Sequence, residues 1–269
     1  MLRKLLTAAA FAAATLSTAL SGPTAVQAAT QPQVLRVGVS AGPYAEILRY
    51  ASELASKDGL DVRVIEFSDW TLPNAALSQG DLDLNNFQHL PYLQNQVAQR
   101  GYDLVPIAKS IIVPFGLYSK KLTSLDQIKD GATTAIPNDP SNAARGLELL
   151  EKAGLIKLKP DAGIKATQAD IVENPKHLKI RELDAAQLPR ALDDLDFSVV
   201  SLNYAINAGL EPKKALLLED SNTNWNLVFA TRAKDKDNDA IRRFVAIYRS
   251  PEVKAFIKQR FNDTILATW

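Results

Sequence analysis

From residue 34 onward the chain repeats one pattern: a short apolar or alternating run, a turn, then a stretch with helical spacing. Residues 34–39 (Val-Leu-Arg-Val-Gly-Val) alternate like a strand, Gly42-Pro43 breaks them, and 44–56 reads as a helix. Residues 62–67 make a second strand, 73–78 a short helix, and 81–84 lead into a third strand. Residues 90–100 are helical, and 104–107 and 111–118 are again strand-like. This β-α-β-α order predicts an α/β fold with a mostly parallel sheet and helices on its faces.

The pattern then starts afresh. Strands are expected at 132–136, 180–183 and 197–201, and helices at 143–153, 186–192 and 203–208. A last strand, 227–232, precedes an amphipathic tail, 239–261. The final strand and tail look like closure of the first half, so the second half reads as inserted. Two lobes are expected, one from 29–116 plus 229–269 and one from 117–228, crossing near 117–119 and 226–229. Open α/β sheets bind ligands beyond the carboxyl ends of their strands, and clefts between domains are favoured.

Residues 1–28 have the plan of a secretory leader. Arg3 and Lys4 give a positive start, an Ala-rich apolar run follows, and Val26-Gln27-Ala28 offers small residues for cleavage. The apolar run is short for a membrane span. Removing 28 of 269 residues leaves 241, which suits one large or two small domains. The leader takes two basic residues and no acid with it, leaving 29 Lys and Arg against 30 Asp and Glu, a net charge of −1. Nothing there favours nucleic acid or an anionic membrane surface. The chain has no cysteine, which excludes zinc–thiolate sites, disulfide exchange and cysteine nucleophiles. Without disulfides an exported protein relies on its core, which 46% hydrophobic residues can supply.

Several segments carry candidate chemistry. In Ile136-Pro-Asn-Asp-Pro-Ser-Asn-Ala-Ala-Arg145 a strand end runs through a proline turn into a helix, with Asp139, Ser141 and Asn142 as candidate caps. Unpaired N–H groups of a helix start, with Arg145 in its first turn, suit a small carboxylic acid; a capped helix with a solvated Arg is the plain alternative. Gly38-Val-Ser-Ala-Gly42 fits the G-x-S-x-G pattern of a hydrolase. It lies on the first strand, however, and only His89 and His177 are available as a base. A turn whose glycines admit a ligand to the backbone fits better than an esterase using Ser40.

Residues 70–92 gather Trp70, Asn74, Asn85, Asn86, Phe87, Gln88, His89 and Tyr92 around turns. The aromatics are either core or a slot for an apolar or thioether side chain, since sulfur packs well on ring edges. Two histidines without an adjacent carboxylate pair argue against a metal centre. Asn203 and Asn226 stand at strand ends, as helix caps or as amides for a ligand's ammonium or carboxylate. The acidic run 193–196 and Asp184 read as solvated turns and are given no role.

Taken in order, VGVSAGPYAEIL, VIEFSDWTLPNAALSQGDLDLNNFQHLPYL, YSKK, IPNDPSNAARGLELLEKAGLIKLK, DIVENPKHLKIRELDAAQLPRALDD and NYAINAGL resemble the methionine-binding proteins of bacterial ABC importers, the MetQ/NlpA family. The resemblance covers nearly all of the chain after the leader. It implies a two-lobed periplasmic binding protein, type II-like, with two crossover strands and a ligand cleft between lobes. It implies no reaction, cofactor or metal. It also implies free methionine as ligand, expected as L-methionine; because an apolar slot discriminates weakly, D-methionine, a methionine-containing dipeptide and another apolar amino acid are the alternatives. A permease with its ATPase at the inner membrane would be the partner, and the protein a monomer. The family's aromatic slot maps onto Trp70, Phe87, His89 and Tyr92, with Trp70 where Tyr is frequent. Its polar clamp maps onto Asn142, Arg145, Asn203 and Asn226. Many members carry a lipid on a cysteine; here Leu20-Ser21-Gly22 runs into Pro23, so a periplasmic protein without a lipid anchor is expected.

Overall fold

A computed structural model describes residues 34–220 and 225–269; the expected leader lies outside them. The first strand, β1 (Leu35–Ser40), ends at Gly42, and α1 (Pro43–Lys57) begins on Pro43. Proline is suited to that position, where its missing N–H would have no helical partner. Tyr44, Ile47, Leu48, Ala51 and Ala55 recur at helical spacing and form the buried face of α1. β2 (Val62–Phe67) pairs parallel with β1, with Leu35 opposite Val62 and Ser40 opposite Phe67. After α2 (Leu72–Gln79) comes β3 (Leu84–His89), parallel to β1 on its other side, then α3 (Leu90–Arg100) and β4 (Leu104–Lys109). The stretch expected as one strand over 111–118 is two, β5 (Ile111–Ile112) and β6 (Phe115–Tyr118), parted at Val113-Pro114 because proline cannot donate to a ladder.

The second half contains β7 (Thr133–Pro137), α4 (Pro140–Lys152), β8 (Lys157–Leu158), β9 (Ile171–Glu173) and β10 (Lys179–Leu183). It continues with α5 (Leu188–Ala191), β11 (Ser198–Ser201), α6 (Leu202–Asn207) and β12 (Leu217–Leu218). The chain ends with β13 (Leu227–Arg232), α7 (Asp239–Tyr248), α8 (Pro251–Phe261) and β14 (Leu266–Ala267). The expected single tail is thus two helices. Pro251 cannot continue α7, and Ser250 accepts the Val253 N–H to cap α8.

The main sheet has the order β2-β1-β3-β13-β4, so the late strand β13 lies between two early ones. It runs antiparallel to both, which makes the sheet parallel only across β2-β1-β3. In the second half β10 pairs parallel with β7, while β6 takes β11 and β12 antiparallel on either side. The apolar interiors are also separate. One joins β1, α1, β13 and α7 through Val37, Val39, Leu48, Phe229 and Phe244. A second joins β6, β7, α4 and β11 through Leu117, Ile136, Leu147, Leu150 and Val199. Gly146 lets α4 lie close over β7, since a Cβ there would stand 3.0 Å from Ile136 Cγ2. Trp70 follows β2 in sequence yet packs against the second-half interiors, where the two sets of elements meet.

Candidate functional site

β3 is polar in sequence and buried along its whole length. Its amides are paired with one another: Asn74 and Gln88 exchange two bonds of 2.7 Å, and Asn85 Nδ2 donates to Asn74 Oδ1 at 2.9 Å. Such pairing makes burial tolerable for polar groups, and it ties α2 to β3. Phe87 and His89 therefore lie within the strand, and not in the turns around which the sequence gathers them. His89 closes β3 and caps α3: its Nδ1 accepts the Tyr92 N–H at 3.2 Å. That bond leaves the ring proton on Nε2, which donates to Asn142 Oδ1 at 3.0 Å. Burial first, then the positive field of Arg145, push His89 down to about 3, while the bond to Asn142 opposes the shift. The ring is neutral at pH 7. Tyr92 stands edge-on to Phe87 at 5.8 Å and donates its hydroxyl to the Trp70 carbonyl at 2.8 Å. Trp70 packs against Tyr204, with ring centroids 5.0 Å apart.

Across from this wall lies the start of α4. The helix begins at Pro140, three residues before the expected start, so Arg145 stands in its second turn and not its first. Asp139 is the N-cap and accepts the Asn142 N–H at 3.0 Å, so that amide is already paired within the chain. Asn142 is also fully engaged: Nδ2 donates to both Asp139 oxygens and Oδ1 accepts from His89. Burial pushes the Asp139 carboxyl up, against the hydrogen bonds it accepts. Arg145 is 2% exposed and pairs with Glu219, 9% exposed. Nε donates to both Glu219 oxygens at 2.9 and 3.2 Å, and Nη2 to Glu219 and to the Val113 carbonyl at 2.9 Å. Its guanidinium lies 4.0 Å from the Phe115 ring centroid and 5.4 Å from that of Trp225.

Between the two walls is a narrow cavity of only about 10 Å³. Trp70, Phe87, His89 and Tyr92 line it with Asn142 and Arg145, which brings six of the eight sequence-predicted residues together. Asn203 is not on the lining but bonds two residues that are. Its Oδ1 accepts from Ser201 Oγ at 2.7 Å and from the Tyr44 hydroxyl at 3.4 Å. It lies inside α6, behind Ser201, so it is not the helix cap. Its Nδ2 is buried without a hydrogen-bond partner among the described residues, as is Asn226 Oδ1. Asn226 directly precedes Leu227, which lines the cavity. Trp225 packs edge-on to His89 at 4.8 Å. Tyr44, Phe115, Ser201 and Leu227 were not singled out by the sequence. Tyr44 had a signal, as it follows the Gly-Pro turn at the carboxyl end of β1. Glu219 had none, because 74 residues separate it from Arg145.

The Gly38–Gly42 turn serves packing of the chain itself. Gly42 has φ 91, and a Cβ there would lie 2.1 Å from Asn207 Oδ1, while Asn207 Nδ2 donates to the Ala41 carbonyl at 3.1 Å. The group that approaches this backbone is the Asn207 side chain at the end of α6. Ser40 Oγ is buried without a hydrogen-bond partner among the described residues. Both ring nitrogens of His89 are engaged elsewhere, and His177 is exposed with Asp130 2.6 Å from its Nδ1. Among the described residues no group of three His, Cys, Asp or Glu side chains is placed to hold a metal ion.

Known proteins share this chain over most of its length. The family model described as NlpA lipoprotein matches residues 35–269. The D-methionine-binding lipoprotein MetQ of Salmonella typhimurium is 45% identical over 242 residues, covering 88% of this chain and 89% of that protein. A nutrient-binding protein from Burkholderia cenocepacia, solved bound to methionine, is 50% identical with a TM-score of 0.84, over 87% of this chain and all of that one. The crystal structure of the methionine-binding protein MetQ gives 43% identity and a TM-score of 0.85, over 89% and 99%. The fold is that of these substrate-binding proteins, as the resemblance implied. With its family model spanning both halves and the cavity between them, this chain belongs to the NlpA lipoprotein family.

Proposed function

We propose that the chain is a periplasmic solute-binding protein that captures L-methionine in the cavity between β3–α3 and α4 and hands it to an ABC importer. The observation that carries this reading is the placing of a buried arginine opposite an aromatic wall, with both lining one narrow cavity. The two sets of elements act as lobes, 29–116 with 229–269 and 117–228, and the bonds His89–Asn142 and Tyr44–Asn203 run between them.

In the proposed mode the ligand carboxylate takes Nη1 of Arg145, since Glu219 and Val113 occupy Nε and Nη2. Asn203 Nδ2 is a second donor for it, and Asn226 Oδ1 an acceptor for the ammonium. The thioether lies among Trp70, Phe87, His89 and Tyr92, with Asn142 holding His89 in place. Hydrogen bonds to charged groups contribute about 1.5–3 kcal/mol each, and burial of the side chain a similar amount in all. The polar groups thus supply most of the affinity and the slot selects the side chain. A methylene changes binding by only about 1–3 kcal/mol, so the slot is a weak filter among apolar side chains. No bond is made or broken in this reading, and the relatives are binding proteins. The receiving partner is a permease with its ATPase, met by a single copy of the chain.

Calorimetric titration of protein unfolded and refolded to strip ligand tests the reading. One-to-one binding of L-methionine at micromolar affinity or tighter is expected, with D-methionine, leucine and methionyl dipeptides as competitors to rank. Folded protein that gives no heat with any of them refutes it.

A further inference from the structure

Glu219 touches Arg145 yet has no place in the binding mode proposed above. Its carboxylate holds Nε and Nη2 of the guanidinium and also accepts the Phe115 N–H at 2.9 Å. Both side chains are almost fully buried. Phe115 and Trp225 cover the guanidinium faces, so the pair is fixed in plane by Glu219 and out of plane by two rings. A lone buried arginine would present one positive charge and accept any small carboxylate. An arginine already neutralised cannot: a second carboxylate would bring an uncompensated negative charge into a buried site, which costs far more than in water. On the opposite wall His89 is neutral at pH 7 and Asp139 is an acid, so neither supplies a balancing positive charge.

We propose that Glu219 sets the charge of the cavity, so that Arg145 accepts a net-neutral zwitterion and rejects the same molecule lacking its ammonium group. The ligand's own ammonium then restores neutrality beside the paired carboxylates. Glu219 is a positioning residue in this scheme, and it determines specificity through Arg145. The inference rests on the amino-acid-binding reading above and adds to it the reason that an amino acid, and not a simple acid, is taken.

The test is titration of wild type and Glu219→Gln with L-methionine and with 4-(methylthio)butanoate, which has the same side chain and carboxylate but no ammonium. Wild type should prefer methionine by about 100-fold or more, given the several kcal/mol of like-charge cost. In Glu219→Gln that preference should shrink by at least about tenfold, because the cavity gains a net positive charge that favours the anion. A purely structural role for Glu219 would weaken both ligands together and leave the preference unchanged. Glu219→Asp keeps the charge and shortens the reach, so it should weaken both ligands and keep the preference; a preference lost there as well overturns charge as the cause. Should Glu219→Gln not fold, Glu219→Asp and wild type still decide the matter, since wild type binding the two ligands within about threefold overturns the inference. Absence of methionine binding by wild type overturns the proposed function and this inference with it. Methionine binding with an unchanged preference in folded Glu219→Gln overturns the inference alone.

Discussion

Acid should weaken this protein through one imidazole ring. His89 is buried, its Nδ1 accepts the Tyr92 N–H, and protonation would place a second donor against that donor. Its pKa falls from the ordinary 6.5 to about 3 in the fold. Between those values the unfolded chain binds a proton at this site and the folded chain does not, so stability falls as pH is lowered. The contribution is intact above pH 6.5 and lost progressively toward pH 3. At pH 5 the two pKa values give a loss of about 2 kcal/mol, and at pH 4 about 3 kcal/mol. Carboxylates titrate in the lower part of the same range, so the contribution must be taken as a difference. Urea unfolding of wild type and His89→Gln at pH 7.5 and pH 5 isolates it: the wild type should lose about 2 kcal/mol more than the variant over that interval. The NMR signal of the ring, assigned by its absence in the variant, should stay unprotonated down to pH 5. Equal losses in the two proteins, or a His89 midpoint above about 5, would refute the reasoning.

Arg145→Ala should weaken methionine binding by about 3–5 kcal/mol and lower stability as well, because Glu219 is left buried without its partner; unchanged affinity in calorimetry would remove the carboxylate from Arg145. Gly42→Ala should cost about 2–4 kcal/mol in urea unfolding, since φ 91 with ψ −136 suits glycine alone and the new Cβ would displace Asn207. Ser40→Ala should leave both affinity and stability within about 1 kcal/mol, as the hydroxyl it deletes bonds nothing among the described residues. An esterase activity lost on that change would restore the hydrolase reading that the turn sequence raised.

What could be read from the chain in advance follows the range of the interactions involved. Strands β2 and β13 and helix α3 were legible to the residue because period and punctuation are local: apolar alternation, a proline at a helix start, a glycine after its end. The polar β3 misled for the same reason. Asn85, Asn86, Gln88 and His89 carry no apolar signal, and they can be strand only because Asn74 and Asn142, 11 and 53 residues away from Asn85 and His89, pair with their side chains. The proline turn before α4 was recognised as a helix start, but which cap the helix uses depends on side-chain geometry. Asp139 takes the role, which moves Arg145 from the first turn to the second and pairs the amide expected to meet an anion. The aromatic residues of the slot were found because they are clustered in 23 residues of chain, whereas the groups that fix its charge are not. Glu219 is an ordinary acid beside Asp220 until the fold brings it 74 residues back to Arg145. The site is therefore best understood as two kinds of surface. One is written locally and selects shape; the other exists only where distant segments meet, and it is there that the balance of charge, and with it the kind of ligand accepted, is decided.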